Sequence, residues 1–206
     1  MLVMILRMTK MTPLVARKLI TVGLRNTSQT KMSPANIRQN FHDECEKSLN
    51  KQINMEMYAS YTYLTLYSYF IQHDKALHGF ARMFIKNSQE EREHSLILID
   101  YQAKRGGKVI MEDIKKPEVE LKTAKDAVEA ALKLEKEVNQ SLLDLHVLAG
   151  EKGDGHLSDF LEEHFLEEQV DSIKEIGDLV TRLEMAGDGL GVIYIDNELK
   201  TIYGKD

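Results

Sequence analysis

The alternation of apolar and polar residues along the chain predicts four long amphipathic helices. Apolar side chains recur at spacings of three and four residues, the period of an α-helix, over stretches too long for strands. We place these helices at residues 40–72, 76–105, 123–149 and 156–185, with a short fifth helix at 192–203. Asn40 and Asp43 resemble a capping pair at the start of the first helix, and Thr123 and Asp126 resemble another at the start of the third.

The lengths of the connections indicate how the helices are arranged. The connections after the first and third helices are short, whereas residues 108–122 follow Gly106 and Gly107 and are interrupted by Pro117. This segment is too long for a turn between antiparallel neighbours. It matches the length of a helix of about 30 residues, which is roughly 45 Å. The predicted fold is therefore all-α, a four-helix bundle with a long crossover between helices 2 and 3 and a short fifth helix.

Composition agrees with one all-α domain and limits its partners. The 206 residues are 43% hydrophobic and include only 3 Pro, enough for a full core. Cys45 is the one cysteine, so no intramolecular disulfide can form and a reducing compartment is favoured. No run of 18 apolar residues occurs, so we expect no membrane as partner. Outside residues 1–31 acidic residues clearly outnumber basic ones, which disfavours nucleic acid and favours cations.

Each of the four long helices carries a metal-capable side chain within its apolar seam, near the middle of the helix. These side chains are Glu56 in the first helix, Glu91 and His94 in the second, Glu135 in the third and Gln169 in the fourth. Any one of these side chains, taken alone, could instead lie on the solvent-exposed flank of its helix. Three buried carboxylates close together would repel one another unless cations neutralised them. The agreement among four seams therefore predicts a metal site inside the bundle.

Several motifs resemble those of ferritins, and the resemblance covers about residues 32–206. They are Gln52-Ile53-Asn54-Met55-Glu56-Met57-Tyr58-Ala59-Ser60-Tyr61, Glu90-Glu91-Arg92-Glu93-His94, Arg105-Gly106-Gly107, Asp113-Ile114-Lys115-Lys116-Pro117 and Leu134-Glu135-Lys136-Glu137-Val138-Asn139-Gln140-Ser141-Leu142. The resemblance is to the heavy-chain type, which has a ferroxidase centre, because light-type subunits lack the ligand set that is complete here. It implies a ferritin-like domain at 32–206, a shell of twenty-four subunits and a cavity in which ferric mineral collects.

The resemblance also implies the roles of the residues at the centre. Glu56, Glu91 and His94 would bind one iron, while Glu91, Glu135 and Gln169 would bind the other. The nearby tyrosine of the family would be Tyr63. Carboxylates with one imidazole form a hard site that suits Fe²⁺ and Fe³⁺ better than Zn²⁺ or Cu²⁺.

The second iron would have fewer strong ligands than the first. Gln169 and Ser172 stand where related di-iron enzymes have a second Glu-x-x-His. Two irons held a few Å apart can each give one electron to dioxygen, and weak ligands let the ferric pair leave. The resemblance thus implies that iron is both site metal and substrate, rather than a retained cofactor.

Further acidic residues would serve transport of iron. By resemblance, Glu90, Glu93 and Glu168 would act in transfer or mineral nucleation, with ordinary charged surface as the alternative. Lys86 and Gln89 depart from the more acidic or His-bearing patterns at this surface, which argues against efficient nucleation by this subunit.

An access channel for iron is implied in the same way. Asp159 and Glu162, with His146 nearby by analogy, match residues that line the channels at the three-fold axes of the shell. Without the resemblance, Asp159 and Glu162 are an acidic pair near a helix start, where the helix dipole favours them.

We therefore predict an iron-storage subunit with ferroxidase activity, whose partners are Fe²⁺, O₂ and other ferritin chains. The alternative is a catalytically silent storage or structural subunit that assembles with active chains. Rapid aerobic oxidation of Fe²⁺ by the homomer separates the two. A DNA-protecting miniferritin is disfavoured because such proteins place the site between subunits and lack the fifth helix.

Residues 1–31 form an N-terminal extension of different character. They contain six basic and no acidic residues, and Arg17, Thr21 and Arg25 share one helical stripe. This composition is typical of a mitochondrial transit peptide. Alternatively, synthesis starts at Met32, and four further methionines crowd the beginning of the chain. We favour a cytoplasmic location, with a mitochondrial one as the close alternative.

A fusion of residues 1–35 to a fluorescent protein tests the transit-peptide interpretation. The unaltered fusion should reach mitochondria if the interpretation is right. Changing Arg17 and Arg25 to Glu should then leave it in the cytosol, because import needs the positive amphipathic face. Fluorescence microscopy measures the outcome, and a diffuse cytosolic signal from the unaltered fusion would reject targeting.

Overall fold

The computed structural model describes residues 36–204, and these residues form the predicted helical bundle. Its elements are α1 (Asp43–Phe70), α2 (His78–Lys104), α3 (Ala124–Glu151), α4 (Gly155–Leu161), a π-helical turn (Glu162–Leu166), α5 (Glu167–Ala186) and α6 (Leu190–Ile202). No strand occurs among the described residues, which confirms the all-α prediction. The fourth member of the bundle is α4, the π-helical turn and α5 in succession. Helix α1 packs mainly against α2, α3 packs against α5, and α6 packs against α2.

The core consists of the apolar seams that the sequence pattern predicts. Phe70, Phe80 and Phe84 are fully buried between α1 and α2, with the Phe70 ring 5.1 Å from that of Phe80 and 5.5 Å from that of Phe84, centroid to centroid. Leu98 and Leu145 are also fully buried. Burial of these side chains supplies the main driving force for folding and fixes which face of each helix points inward.

The start of α1 differs from the prediction. The N-cap is His42, whose Nδ1 accepts a hydrogen bond of 3.2 Å from the backbone N–H of Glu44. Asn40 lies outside the helix with a φ of 46°, and its Nδ2 donates to the carbonyl of Gly153 at 3.1 Å. The prediction that Asn40 and Asp43 form a capping pair is therefore wrong. Asn40 instead contacts the loop between α3 and α4. The pair Thr123 and Asp126 does form a capping box, as predicted.

The connection between α2 and α3 is the predicted crossover, and α1 holds its first part. Asn50 donates from Nδ2 to the carbonyl of Lys108 at 3.1 Å and accepts from the N–H of Ile110 at 2.8 Å. Glu46 accepts from the N–H of Lys108 at 2.7 Å. Polar residues of α1 therefore satisfy backbone groups of a segment that has no helical hydrogen bonds of its own.

The fourth member of the bundle is not the continuous α-helix that the sequence predicts. Asp154 caps α4 by accepting from the N–H of Leu157 at 3.1 Å, and Arg105 at the end of α2 pairs with the same aspartate at 2.9 Å. About two turns later, at Glu162, the chain widens into the π-helical turn, in which each turn contains more residues than in an α-helix. Phe165 within that turn and Gln169 beyond it both face the core.

Helix α6 supplies the N-terminal cap of α2. Within residues 36–204, the start of α2 has no capping side chain of its own and no acidic residue in its first turn. The buried carboxylate of Asp196 accepts from the N–H groups of Gly79 at 2.6 Å and Phe80 at 3.2 Å. Lys200 pairs with the other oxygen of Asp196 at 2.6 Å. A negative charge at this position satisfies free N–H groups and complements the helix dipole.

Two sequence expectations concern membranes and the N-terminal extension. None of the helices between residues 36 and 204 is long and apolar enough to cross a membrane. The predicted boundary at residue 31 and the stripe of Arg17, Thr21 and Arg25 lie outside the described residues.

Replacing Gly79 with Ala tests the docking of α6. A Cβ atom at Gly79 would lie 1.9 Å from the backbone oxygen of Asp196, so α6 would have to move. We expect Gly79→Ala to lower the free energy of unfolding by about 1–3 kcal/mol. The matched control is Gly177→Ala in α5, where nothing lies within 4 Å of the added Cβ; it should raise stability by about 0.5–1 kcal/mol. Urea unfolding followed by circular dichroism measures both, and equal effects would contradict the docking.

Candidate metal centre

Polar side chains from all four members of the bundle meet in its interior. Glu56 lies on α1, Glu91 on α2, Glu135 on α3 and Gln169 on α5. Their exposed fractions are 0%, 4%, 3% and 4%, respectively. None of these four side chains therefore lies on the solvent-exposed flank of its helix. The mid-helix positions of these residues bring them to the same depth in the bundle.

One half of the centre is formed by Glu56, Glu91 and His94. One oxygen or nitrogen of each lies within 4.8 Å of those of the other two. His94 and Glu91 share a face of α2, with Nδ1 3.4 Å from the Glu91 carboxylate. The Nε2 atom of His94 lies 3.3 Å from the carboxylate of Glu168, which is on α5. Two carboxylates and an imidazole at this spacing can ligate one metal ion.

The other half of the centre is formed around Glu135. The hydroxyl of Tyr63 donates to one oxygen of Glu135, and Nε2 of Gln169 donates to the other at 3.0 Å. Glu91 lies close enough for its charge to act on both Glu56 and Glu135. Glu91 therefore lies near both Glu56 and Glu135.

The electrostatics of the centre favour a bound cation. Burial and the charge of Glu91 raise the pKa of Glu56 well above its ordinary value. The same two causes raise the pKa of Glu135 to about 7. Both carboxyls therefore resist ionisation unless a positive charge enters the site. Burial opposes a charged imidazole, but hydrogen bonds to Glu168 and Glu91 raise the pKa of His94 to about 11.

Two buried oxygens at the centre lack hydrogen-bond partners. Among the described residues, neither Oε2 of Glu56 nor Oε1 of Gln169 receives a hydrogen bond. Leaving a buried acceptor unsatisfied costs about 1–3 kcal/mol. Carboxylate and amide oxygens are suitable ligands for hard cations. Each half of the centre contains one of these two unpaired oxygens. Each half therefore has an oxygen that is free to coordinate a metal ion.

The sequence did not reveal the hydrogen bonds by which Gln52 and Ser141 position Glu56. Gln52 donates from Nε2 to Oε1 of Glu56 at 2.7 Å, and Ser141 on α3 donates to the side-chain oxygen of Gln52. This arrangement turns the free oxygen of Glu56 toward the centre. The signal in the sequence was the position of Gln52, one turn before Glu56 on the same face of the helix.

The residues expected to transfer iron differ in their contacts and in their exposure to solvent. Glu168 contacts His94, as described above, and Glu90 is paired with Lys86 at 3.2 Å. Glu93 and Gln89 are exposed. A cavity of about 250 Å³ adjoins the centre, and Glu90 and Glu168 line it together with Glu91, His94, Glu135 and Gln169.

The residues expected at an access channel lie at the other side of the fourth bundle member. His146 on α3 and Glu162 in the π-helical turn are in contact, with Nε2 and Oε1 2.6 Å apart. Asp159 is exposed one turn earlier, on α4. The structure thus brings two of the three residues together and leaves the third on the neighbouring surface.

Comparison with known proteins agrees with the fold. The family described as Ferritin-like domain matches residues 46–186. The chain is 52% identical over 168 residues to soma ferritin of Lymnaea stagnalis, covering 81% of this chain and 97% of that protein. It is 55% identical over 148 residues to the ferritin middle subunit of Salmo salar, covering 71% and 84%. It is 51% identical over 164 residues to the ferritin middle subunit of Aquarana catesbeiana, covering 78% and 93%.

These matches extend across the helices that carry Glu56, Glu91, His94, Glu135 and Gln169. They agree with the four-helix architecture. The chain belongs to the ferritin family, whose members store iron.

Proposed function

We propose that this chain is a heavy-chain type ferritin subunit that oxidises Fe²⁺ with O₂ and deposits ferric mineral inside a shell of twenty-four subunits. The observation that carries the proposal is the buried centre, to which every member of the bundle contributes a polar side chain. Among the described residues, Oε2 of Glu56 and Oε1 of Gln169 have no hydrogen-bond partner. Each half of the centre therefore has an oxygen that can coordinate iron.

In the proposed reaction, Glu56, Glu91 and His94 hold one Fe²⁺ and Glu91, Glu135 and Gln169 hold the other. Glu91 is shared, which keeps the two ions close. Each Fe²⁺ loses one electron and dioxygen gains both. The carboxylates stabilise the added positive charge of the ferric products, since ionised oxygen ligands favour the higher oxidation state.

The chain's own residues prepare the ligands for iron. Gln52 orients Glu56, while Tyr63 and Gln169 orient Glu135. Because the pKa values of Glu56 and Glu135 are raised, Fe²⁺ binding should displace protons from these carboxyls. The second iron would have the amide oxygen of Gln169 where the first has the imidazole of His94, and an amide oxygen is the weaker of these two neutral ligands. Weaker binding at this position suits an ion that leaves as product.

Exposed apolar side chains support assembly into a shell. Val170, Leu190 and Tyr194 are 66%, 84% and 72% exposed in the single chain. Apolar side chains in such numbers on a surface are typical of protein–protein contacts. Ferritins form oligomeric shells, and we propose the twenty-four-subunit form for this chain, alone or mixed with other ferritin chains.

Replacing Glu91 with Lys and His94 with Gly tests the centre. The double variant should lose rapid oxidation of Fe²⁺, because the shared ligand and the only imidazole of the cluster are gone. Its helix content should be unchanged, and its thermal midpoint without metal should be at or above that of the parent, since buried repulsion is removed. Stopped-flow absorbance measures the oxidation, and circular dichroism measures the helix content.

The matched control is Glu118→Lys with His73→Gly, two exposed residues in connections outside the centre. It should oxidise Fe²⁺ at the parent rate. If the parent itself shows no rapid oxidation, the chain is a catalytically silent subunit. If the variant at Glu91 and His94 keeps the parent rate, iron is oxidised elsewhere.

We further propose that Asp159, Glu162 and His146 line the route by which iron enters the shell. Changing Asp159 to Asn and Glu162 to Gln should slow oxidation by roughly tenfold at low ionic strength, because carboxylates steer cations toward an opening. Added salt should slow the parent and leave the variant nearly unaffected, since salt screens this attraction. The initial rate of Fe²⁺ oxidation against salt concentration measures both effects.

The control for the access route is Asp178→Asn with Glu184→Gln, which removes two exposed carboxylates from α5. It should retain the parent's rate and salt dependence. Equal rates for the parent and the variant at Asp159 and Glu162 at low ionic strength would eliminate this route.

A further inference from the structure

The cavity beside the metal centre extends to the end of α6. Its inner end is lined by Glu91 and Gln169, and its outer end by Glu175 and Tyr203. Tyr203 directly follows α6, whereas Glu175 lies on α5. The centre and the last turn of the fold thus share one space of about 250 Å³.

Two carboxylates at the outer end of this cavity are already engaged. The Nζ atom of Lys86 lies 3.2 Å from Oε1 of Glu90, one helical turn along α2. The hydroxyl of Tyr203 donates to Oε1 of Glu175 at 2.8 Å. The Lys86 ammonium also lies 5.4 Å from the centroid of the Tyr203 ring, within the range of a cation–π contact. We call these four side chains, Lys86, Glu90, Glu175 and Tyr203, the α6 closure.

Tyr203 remains a hydrogen-bond donor to Glu175 across the physiological pH range. Burial, the hydrogen bond to Glu175 and the charge of Glu90 raise the pKa of its hydroxyl far above the ordinary value. The phenol therefore stays protonated and occupies an oxygen that a passing cation could otherwise bind.

The position of Tyr203 is fixed by the docking of α6. Asp196 holds the N-terminus of α2, and the backbone N–H of Tyr203 donates to the carbonyl of Leu199 at 2.9 Å. Arg82 on α2 donates to the carbonyl of Lys200 at 3.4 Å. The Tyr203 ring is therefore held beside the cavity by contacts on both sides of the last turn of α6.

We propose that the α6 closure controls how fast iron leaves the metal centre along this cavity. The proposal rests on the proposed function, because iron must first be oxidised at the centre. A cation that moves along a protein surface needs successive oxygen ligands. Lys86 neutralises Glu90 and Tyr203 occupies Glu175, so two such ligands are withheld at the outer end.

The closure should slow the passage of iron without blocking it. The side chains of Lys86 and Glu90 are 55% and 42% exposed, and ion pairs of this kind are weak. Removing both engaged contacts should therefore accelerate departure of iron by about three- to tenfold. The first oxidation should be unaffected, since no member of the closure touches Glu56 or Glu135.

Recovery of oxidation capacity measures departure from the centre. The full-length parent and the variant Lys86→Gln/Tyr203→Phe are each given two Fe²⁺ per subunit in air and then a second equal addition after increasing delays. The variant should regain its initial rate three to ten times sooner than the parent. The control Lys133→Gln/Tyr61→Phe removes the same two functional groups from exposed positions elsewhere and should behave as the parent.

Two results would overturn the proposal. One is an unchanged recovery time in Lys86→Gln/Tyr203→Phe with a normal first oxidation. The other is a first oxidation accelerated in the same ratio as recovery, which would place the closure on the path of incoming iron. If Tyr203→Phe loosens α6, as seen by a lowered thermal midpoint, Lys86→Gln alone is compared with Lys133→Gln by the same criteria.

Zinc binding provides a readout that does not depend on oxidation. Isothermal titration with Zn²⁺ should show one additional weak site per subunit in Lys86→Gln/Tyr203→Phe, because Glu90 and Glu175 are freed. If the parent does not oxidise Fe²⁺, the proposed function fails, whereas the zinc titration still decides whether the closure withholds ligands. An unchanged zinc stoichiometry would contradict the proposal that the α6 closure withholds ligands.

Discussion

The burial of three carboxylates inside one helical bundle is the constraint on which the rest of the structure depends. Glu56, Glu91 and Glu135 are removed from water, and burial together with the charge of Glu91 raises the pKa values of Glu56 and Glu135. Hydrogen bonds from Gln52 and Tyr63 reduce the cost, but one oxygen of Glu56 is left without a partner among residues 36–204. A cation is the natural compensation, so the centre is stable to the extent that it binds metal.

The fold holds this centre from both ends. At one end, Arg105 and the buried Asp154 join α2 to the start of α4. At the other end, Asp196 of α6 caps α2. Both contacts are satisfied without any contribution from the metal ligands. The ends of α2 are therefore held in place independently of the residues at the centre.

The sequence predicts those features that depend on periodicity and fails where distant segments meet. The seams, the mid-helix position of Glu91 and the capping box at Thr123 follow from spacing along one helix. The cap formed by Asp196 joins residues 116 and 117 positions apart, and Asn40 is diverted by a contact with Gly153 across 113 positions. The π-helical turn is hard to predict because the buried positions Leu161, Phe165 and Gln169 are four residues apart, a spacing that also occurs along an α-helix.

The two halves of the centre differ in their neutral ligand, and this difference gives the proposed reaction a direction. Glu56 and His94 belong to the half that α1 and α2 enclose, whereas Glu135 shares its half with the neutral Gln169. Gln169 also lines the cavity that ends at Tyr203. His94 lines the cavity as well, so both halves border it, but Gln169 is the weaker of the two neutral ligands. Under the proposed function, the weaker ligand selects which iron departs first, and the contacts at the end of α6 set how quickly it does so.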